Sequence, residues 1–322
     1  MKTIIRIDLT FPKEPTWVQI RDLIKNKLEH DEIHYTKIKG KKMKKIPELE
    51  AYESTPRGDA LVYNDIPNEV YHSEVGVSSS YVRKFGESQL HAIEVEQETT
   101  SAMHFGTAAH AMLVEGEEEF NKQIAVVVGS PYTKANKELK QEFIDRGLIV
   151  IKEREYHDIF AMRDNMIDEG NMYLNGNGKI AEASFFWYEG DVLCKCRPDV
   201  ICSPPGPHQE NDIVAVDYKT TFSCSPDAFK ESVLKYGYLQ QAAWYRRGLQ
   251  AAGYKVKEFV FVAQEKKPPY ACKIFKITDK QMDLAWIDMS EYLEGINKIL
   301  KGGKPTIYNS PNIVTLDFDE QG

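Results

Sequence analysis

The run Asp212-Ile-Val-Ala-Val-Asp-Tyr-Lys219 constrains this chain more than any other stretch. It is almost continuously apolar, whereas a strand with one wet face alternates apolar and polar residues. Such a run suits a central strand, covered on both faces. Its flanks agree. A Pro- and Gly-rich loop spans 203–211, and a long helix over 226–252 is opened by Pro226, which fits the first helical turn. Two charged residues, Asp217 and Lys219, interrupt the apolar run near its end.

The surrounding periodicities place the other elements. Residues 181–188 and 191–199 read as strands of a hairpin around Glu189–Gly190. Strands over 257–264 and 270–277 are joined across the Lys-Lys-Pro-Pro turn, and an amphipathic helix covers 278–300. Upstream, helices are expected at 78–88 behind capping serines, at 101–114, at 133–146 and at 153–173. The 101–114 helix is rich in small residues, with Gly106, Ala108, Ala109 and Ala111 permitting close packing. The fold class is therefore α/β, a mixed central sheet flanked by helices. The first 62 residues read as a small module and linker, with a strand at 3–10, a helix at 16–29 and a Pro/Glu/Gly-rich stretch. Residues 63–322 form the main domain.

Composition narrows the setting. No run of 18 apolar residues exists, so no membrane span is expected, and the short apolar N-terminus, broken by Arg6 and Asp8, reads as a strand. The five cysteines, Cys194, Cys196, Cys202, Cys224 and Cys272, are odd in number and lack paired C-x2-C spacing. They fit small core residues of a reduced, cytoplasmic protein better than a zinc or iron–sulfur site. The net charge of −8 excludes a uniformly basic surface but not a local nucleic-acid contact. Six lysines within residues 37–45 form one basic segment, read either as a solvated loop or as a track for a phosphate backbone.

The chemistry concentrates around the central strand. Asp217 and Lys219 are two apart and so share one face of it. Asp199 of Arg197-Pro198-Asp199 ends the strand before, and converges on Asp217 if the two strands are neighbours. Paired carboxylates suit Mg²⁺ or Mn²⁺, which prefer hard oxygen donors. A cation so placed assists phosphodiester hydrolysis, and Lys219 would hold the attacking water or the scissile phosphate. D-x-K alone equally describes a surface acid with a salt-bridging lysine. A buried strand, preceded by Pro-Asp and followed by a long helix, favours a site.

PD-x17-DYK resembles the signature of the PD-(D/E)XK nucleases, with Asp199, Asp217 and Lys219 in its three positions. Gln241 and Tyr245, four apart on the following helix, are similar to the Q-x3-Y motif of the RecB-like branch. Taken alone, that helix reads as ordinary and amphipathic, since Leu234, Tyr238 and Leu249 share the stripe. The phrase FGTAAHAMLVE resembles the branch's helix with a metal-proximal histidine. It assigns that place to His110, with His104 the weaker candidate. Glu182, in EASFFW, matches a further acidic position. More narrowly, IPNEVYHSEVGVSSS, HFGTAAHAMLVE, RPD, AVDYKTT and YLQQAAWY together resemble the RecE (exonuclease VIII) type of phage and prophage nuclease over residues 65–300.

The resemblance implies a double-strand DNA exonuclease of 5′→3′ polarity that makes single-stranded tails for recombination. It implies Mg²⁺, with Mn²⁺ as substitute, held by Asp199 and Asp217 with His110 and Glu182. It also implies a ring-like homo-oligomer acting on duplex ends, with a single-strand annealing protein as partner. An endonuclease of the same fold, and a catalytically idle DNA-binding or assembly protein, remain the alternatives.

Overall fold

The computed structural model describes residues 49 and 51–308, apart from 74–75, 96–98 and 131. The strand and helix expected before residue 30, and the lysine segment at 37–45, lie outside these. In chain order the elements begin with β1 (Thr55–Arg57), β2 (Ala60–Tyr63), α1 (Asn68–Ser73), α2 (Ser79–Glu87) and α3 (Gln89–Glu94). Next come α4 (Ser101–His110), α5 (Glu117–Gln123), β3 (Ile124–Val127), α6 (Lys134–Asp145), β4 (Ile149–Lys152), α7 (Glu153–Asp164) and α8 (Asp168–Leu174). The strands β5 (Ile180–Ala181), β6 (Ser184–Glu189), β7 (Val192–Cys196), β8 (Val200–Cys202) and β9 (Asp212–Thr221) follow. The described chain closes with α9 (Pro226–Tyr236), α10 (Tyr238–Ala251), β10 (Lys255–Glu265), β11 (Cys272–Ile277) and α11 (Asp279–Leu300).

The main sheet is mixed, in the order β11-β10-β9-β8-β5, with β9 and β10 parallel and the other pairs antiparallel. β9 is central, as its apolar run requires. Ile213 and Ala215 point into one core with α2, α10 and α11, while Val214, Val216 and Tyr218 point into the other with α4, α7 and α8. Helices on both faces bury both sets of side chains.

The hairpin around Gly190 is present, but it belongs to two sheets. β6 and β7 join β1 and β2 in a separate four-stranded sheet, whereas β5 and β8 belong to the main one. The register nevertheless runs on unbroken. Glu189 faces Val192, Phe185 faces Cys196, and further down Ala181 faces Val200 and Ile180 faces Ile201. The hairpin is thus one pair of strands bent midway, at 182–183 and 197–199. Glu182 makes the bend with a left-handed φ of 54°, a conformation that a side chain bearing a Cβ seldom adopts. Across it the faces exchange: Phe185 and Trp187 enter the first core, and Ala181 the second. Asp199 therefore lies at this bend, just before β8, rather than ending the strand that precedes it.

Three further expectations are corrected. The boundary at residue 62 cuts through β2, which pairs along its whole length with β6, so residues 55–63 are part of the main domain and not linker. The turn between β1 and β2 is made by Gly58, with φ +57°. The helix at 153–173 is two helices, parted at 165–167. The helix at 226–252 is also two, because Gly237 breaks it with a left-handed φ of 68°. Leu234, assigned to the buried stripe of that helix, is 64% exposed.

All five cysteines are free, and all but Cys272 are buried, as expected of small core residues. Cys196 also sets how close α10 can approach. A Cβ on Gly248 would lie 2.6 Å from Cys196 Sγ and 2.7 Å from the Trp187 ring. Helix propensity favours Gly248→Ala by about 1 kcal/mol, but overpacking two fully buried side chains costs about 1–3 kcal/mol. Gly248→Ala is therefore expected to lower the urea midpoint at unchanged slope, and an equal or higher midpoint would contradict this packing.

Candidate active site

The register brings the acids together before any side chain is considered. Extended by one residue, the pairing of β8 with β9 sets Asp199 opposite Asp217, and that of β5 with β8 sets Glu182 opposite Asp199. The Glu182 N–H donates to the Asp199 carbonyl at 3.1 Å, holding that step of the ladder. Three carboxylates thus stand in one row across three strands. Like charges directly opposite destabilise a sheet, so the row calls for cations.

His110 supplies one from α4. Thr100 caps this helix, accepting from the Met103 N–H at 3.3 Å, and the fully buried Ala108 and Ala109 let it pack closely. A π turn, Ala111–Glu115, follows immediately, a distortion common at functional sites. His110 Nε2 lies 3.2 Å from Glu182 Oε1 and 3.4 Å from Asp199 Oδ1, and Nδ1 lies 3.3 Å from Glu115 Oε1. Burial works against charge on the imidazole. The Asp199 carboxylate, with Glu115 and Glu182, outweighs it and holds the His110 pKa well above its usual range.

Lys219 is the second cation. Its Nζ sits 2.5 Å from Asp217 Oδ2 and 4.8 Å from the centre of the Tyr238 ring. Burial opposes its charge, but Asp217 and Asp199 raise its pKa further. Asp217 is fully buried. That burial, and then the charge of Asp199, push its pKa up to about 7 against the pull of Lys219. Asp199 goes the other way. Burial again disfavours its charge, but His110, Lys219 and the Tyr218 N–H, which donates to Oδ2 at 2.6 Å, lower its pKa. Glu182 is raised by burial, with His110 offsetting part of the effect.

Gln241 and Tyr245 belong to this assembly rather than to the apolar stripe alone. Gln241 Nε2 donates to Asp217 Oδ1 at 2.8 Å and to the Tyr245 hydroxyl at 3.1 Å. The break at Gly237 places both in the N-terminal half of α10, against Asp217 of β9. Their flanking residues Ala242, Ala243 and Trp244 are buried in the core beneath.

Three contributors escaped the sequence reading. Arg197 is buried, donating to Ser184 Oγ at 2.8 Å and to the Ile66 carbonyl at 2.9 Å, with Nη1 3.7 Å from Glu182 Oε2. It lies 4.1 Å over the Tyr71 ring and pins the bend from the side of the four-stranded sheet. Glu115 orients His110, and Tyr238 packs on Lys219. Arg197 was visible in RPD, and Tyr71 in EVYHS, but neither carries a spacing that reveals its contact. His104 is not part of the cluster.

Among the described residues, His110, Glu182 and Asp199 offer ligand atoms that all lie within 4.8 Å of one another. Asp217 Oδ2 is buried without an aligned hydrogen bond, since Lys219 meets it as an ion contact. A donor set of carboxylate oxygens and one imidazole, with the Asp217 carboxylate beside it, fits a divalent cation.

Comparison with known proteins bears on the fold and the family. The crystal structure of a protein named "Putative exonuclease" from Eubacterium rectale superposes with a TM-score of 0.52 at 15% identity, over 79% of this chain and 95% of that one, a likeness of fold. No curated protein matches the sequence. No helix among the described residues is long and apolar enough to cross a membrane. A family model described as "PDDEXK-like domain of unknown function (DUF3799)" matches residues 78–310, which include every site residue named above except Tyr71 and Ile66. The chain belongs to that family, and with it to the PD-(D/E)XK nuclease superfamily.

Proposed function

We propose that this protein is a divalent-metal-dependent deoxyribonuclease that degrades duplex DNA from its ends. The observation that carries the reading is the convergence of His110, Glu182 and Asp199 beside the Asp217–Lys219 pair. In this reading Asp199, Glu182 and His110 hold the cation, the imidazole giving up its proton on binding, with Asp217 as a further ligand. Carboxylates predominate, which favours Mg²⁺, with Mn²⁺ as substitute. The bound cation supplies Lewis acidity toward the attacking water and the phosphoryl oxygens. Lys219 places a buried positive charge where the phosphate becomes more negative. Gln241 fixes the rotamer of Asp217, and Tyr245 fixes Gln241.

Action from ends rests on the resemblance to the RecE type and on the name of the structural neighbour, because endonucleases of this fold use the same carboxylates and lysine. That resemblance also supplies the 5′→3′ polarity, the ring assembly and the annealing partner, which we include in the proposal. The test incubates the full chain with Mg²⁺ or Mn²⁺ and one plasmid in two forms, covalently closed and linearised. The linear form is expected to disappear into short products plus single strand, from the 5′ ends when end-labelled, while the circle persists. Equal attack on the closed circle would replace this reading with an endonuclease, and inertness toward both would favour an idle DNA-binding protein.

A further inference from the structure

The path leading outward from Lys219 is lined by two neighbouring aromatic rings with a lysine at each end. Tyr238, partly buried, lies under Lys219 Nζ at 4.8 Å. Tyr236, 52% exposed, lies 5.8 Å from Tyr238 between ring centres, with the two rings tilted by 32°. Lys235, also exposed, carries its Nζ 5.4 Å from the Tyr236 ring. The two tyrosines flank Gly237, whose left-handed φ of 68° breaks the helix between them. A Cβ there would meet Arg83 Cδ at 2.3 Å, so the Arg83 side chain, ion-paired with Glu87, lies against the break.

This pattern is not accounted for by packing. Tyr238 has a core partner in Phe229, but Tyr236 and its neighbour Leu234 are more than half exposed on a well-formed helix. The nuclease site needs only Lys219 at the inner end. A solvent-facing ring stepping away from a catalytic lysine, with a flexible cation beside it, has the composition of a single-strand binding track. There, bases stack on aromatic faces and cations follow the phosphates. Duplex DNA offers no free base faces along its side, so the arrangement suits an unpaired strand.

We propose that Tyr236 is a stacking platform for an unpaired DNA base next to the active site, with Lys235 contacting the adjoining phosphate. The platform thereby guides a separated strand toward or away from Lys219. The proposal deepens the nuclease reading and rests on it for the identity of the ligand as DNA. It gives the helix break a role, since Gly237 turns consecutive aromatic residues onto a common path instead of opposite sides of one helix.

The test uses the full chain in EDTA, so that binding is read without cleavage, and a fluorescein-labelled dT15 in anisotropy titrations. Tyr236→Ala is expected to weaken dT15 binding about tenfold, in keeping with loss of one stacked base. Tyr236→Phe and Tyr236→Trp should retain parental affinity, and the thermal midpoint of all three should stay near that of the parent. Lys235→Gln should reduce the slope of log affinity against log salt by about 0.7, whereas Tyr236→Ala should leave the slope unchanged. Parental affinity in Tyr236→Ala, or loss of affinity in Tyr236→Phe equal to that in Tyr236→Ala, would overturn the platform, as would a parent that does not bind dT15. The nuclease reading fails separately. A chain that binds dT15 through Tyr236 but cleaves no DNA with Mg²⁺ or Mn²⁺ keeps the platform and loses the enzyme, and a chain that cleaves duplex with Tyr236→Ala unaltered in affinity does the reverse.

Discussion

Asp217→Asn is expected to lower cleavage by at least about 10³-fold and, without metal, to flatten the fall of heat stability with rising pH. The first effect follows from losing a carboxylate where several kcal/mol of charge stabilisation are concentrated, each 1.36 kcal/mol being tenfold in rate. The second follows from the environment of the residue. Burial and the nearby Asp199 push the Asp217 pKa up to about 7, far above its value in an unfolded chain. Between about pH 4 and 7 the unfolded chain has released this proton while the folded chain retains it. The unfolded state binds fewer protons there, so stability falls as pH rises through that window. Asparagine does not titrate and can still accept from Gln241 Nε2, although it gives up the ion contact with Lys219. Thermal midpoints in EDTA from pH 5 to 8 should therefore fall less steeply for the variant than for the parent. A variant whose midpoint falls with pH as steeply as the parent's would contradict this account of Asp217.

Lys219→Met is expected to lower the single-turnover rate about 10²–10³-fold at saturating metal, while calorimetry still detects metal binding. Methionine keeps an unbranched chain beside Tyr238 and Phe261, whose ring centres lie 4.8 and 5.9 Å from Nζ, so packing survives and charge is lost. The separation of the two readouts is the point of the experiment. His110, Glu182 and Asp199 gather their ligand atoms without the lysine. Removing a positive charge beside them gives a cation no added repulsion. Loss of metal binding together with turnover would mean that Lys219 acts by holding Asp217 and Asp199 in place, and its role in the transition state would then be unsupported.

What could be read in the sequence divides along physical lines. Asp217 and Lys219 were placed on one face by alternation alone, and the structure puts their charged atoms 2.5 Å apart. The two-sided burial of β9 was written in its composition. Cross-strand neighbours were harder, since the meeting of Asp199 with Asp217 depended on whether their strands adjoin, and β8 makes them do so. The bend at Glu182 was hidden because a glutamate with positive φ has no composition signal, and the same bend sent β6 and β7 into a second sheet. The break at Gly237 did carry a signal, a glycine inside a helical pattern. The Pro/Glu/Gly-rich composition before residue 62 suggests a linker and hides strands β1 and β2, although Gly58–Asp59 before Ala-Leu-Val-Tyr is a hairpin cue. The partnership of Gln241 with Asp217 lay beyond periodicity, which cannot say what a helix faces.

The continuous register of the bent hairpin makes the site answerable to a distant turn. Glu182 and Asp199 meet because every pair from the Glu189–Gly190 tip inward is counted off in step. The tip is about 25 Å of strand away, at ~3.3 Å per residue. A slip of one residue there would pass undiminished down both strands, exchanging inward for outward side chains and separating the two carboxylates together. Gly190, with φ 62°, thus acts like the first tooth of a zipper: it touches no ligand, yet it decides which residues face one another at the far end.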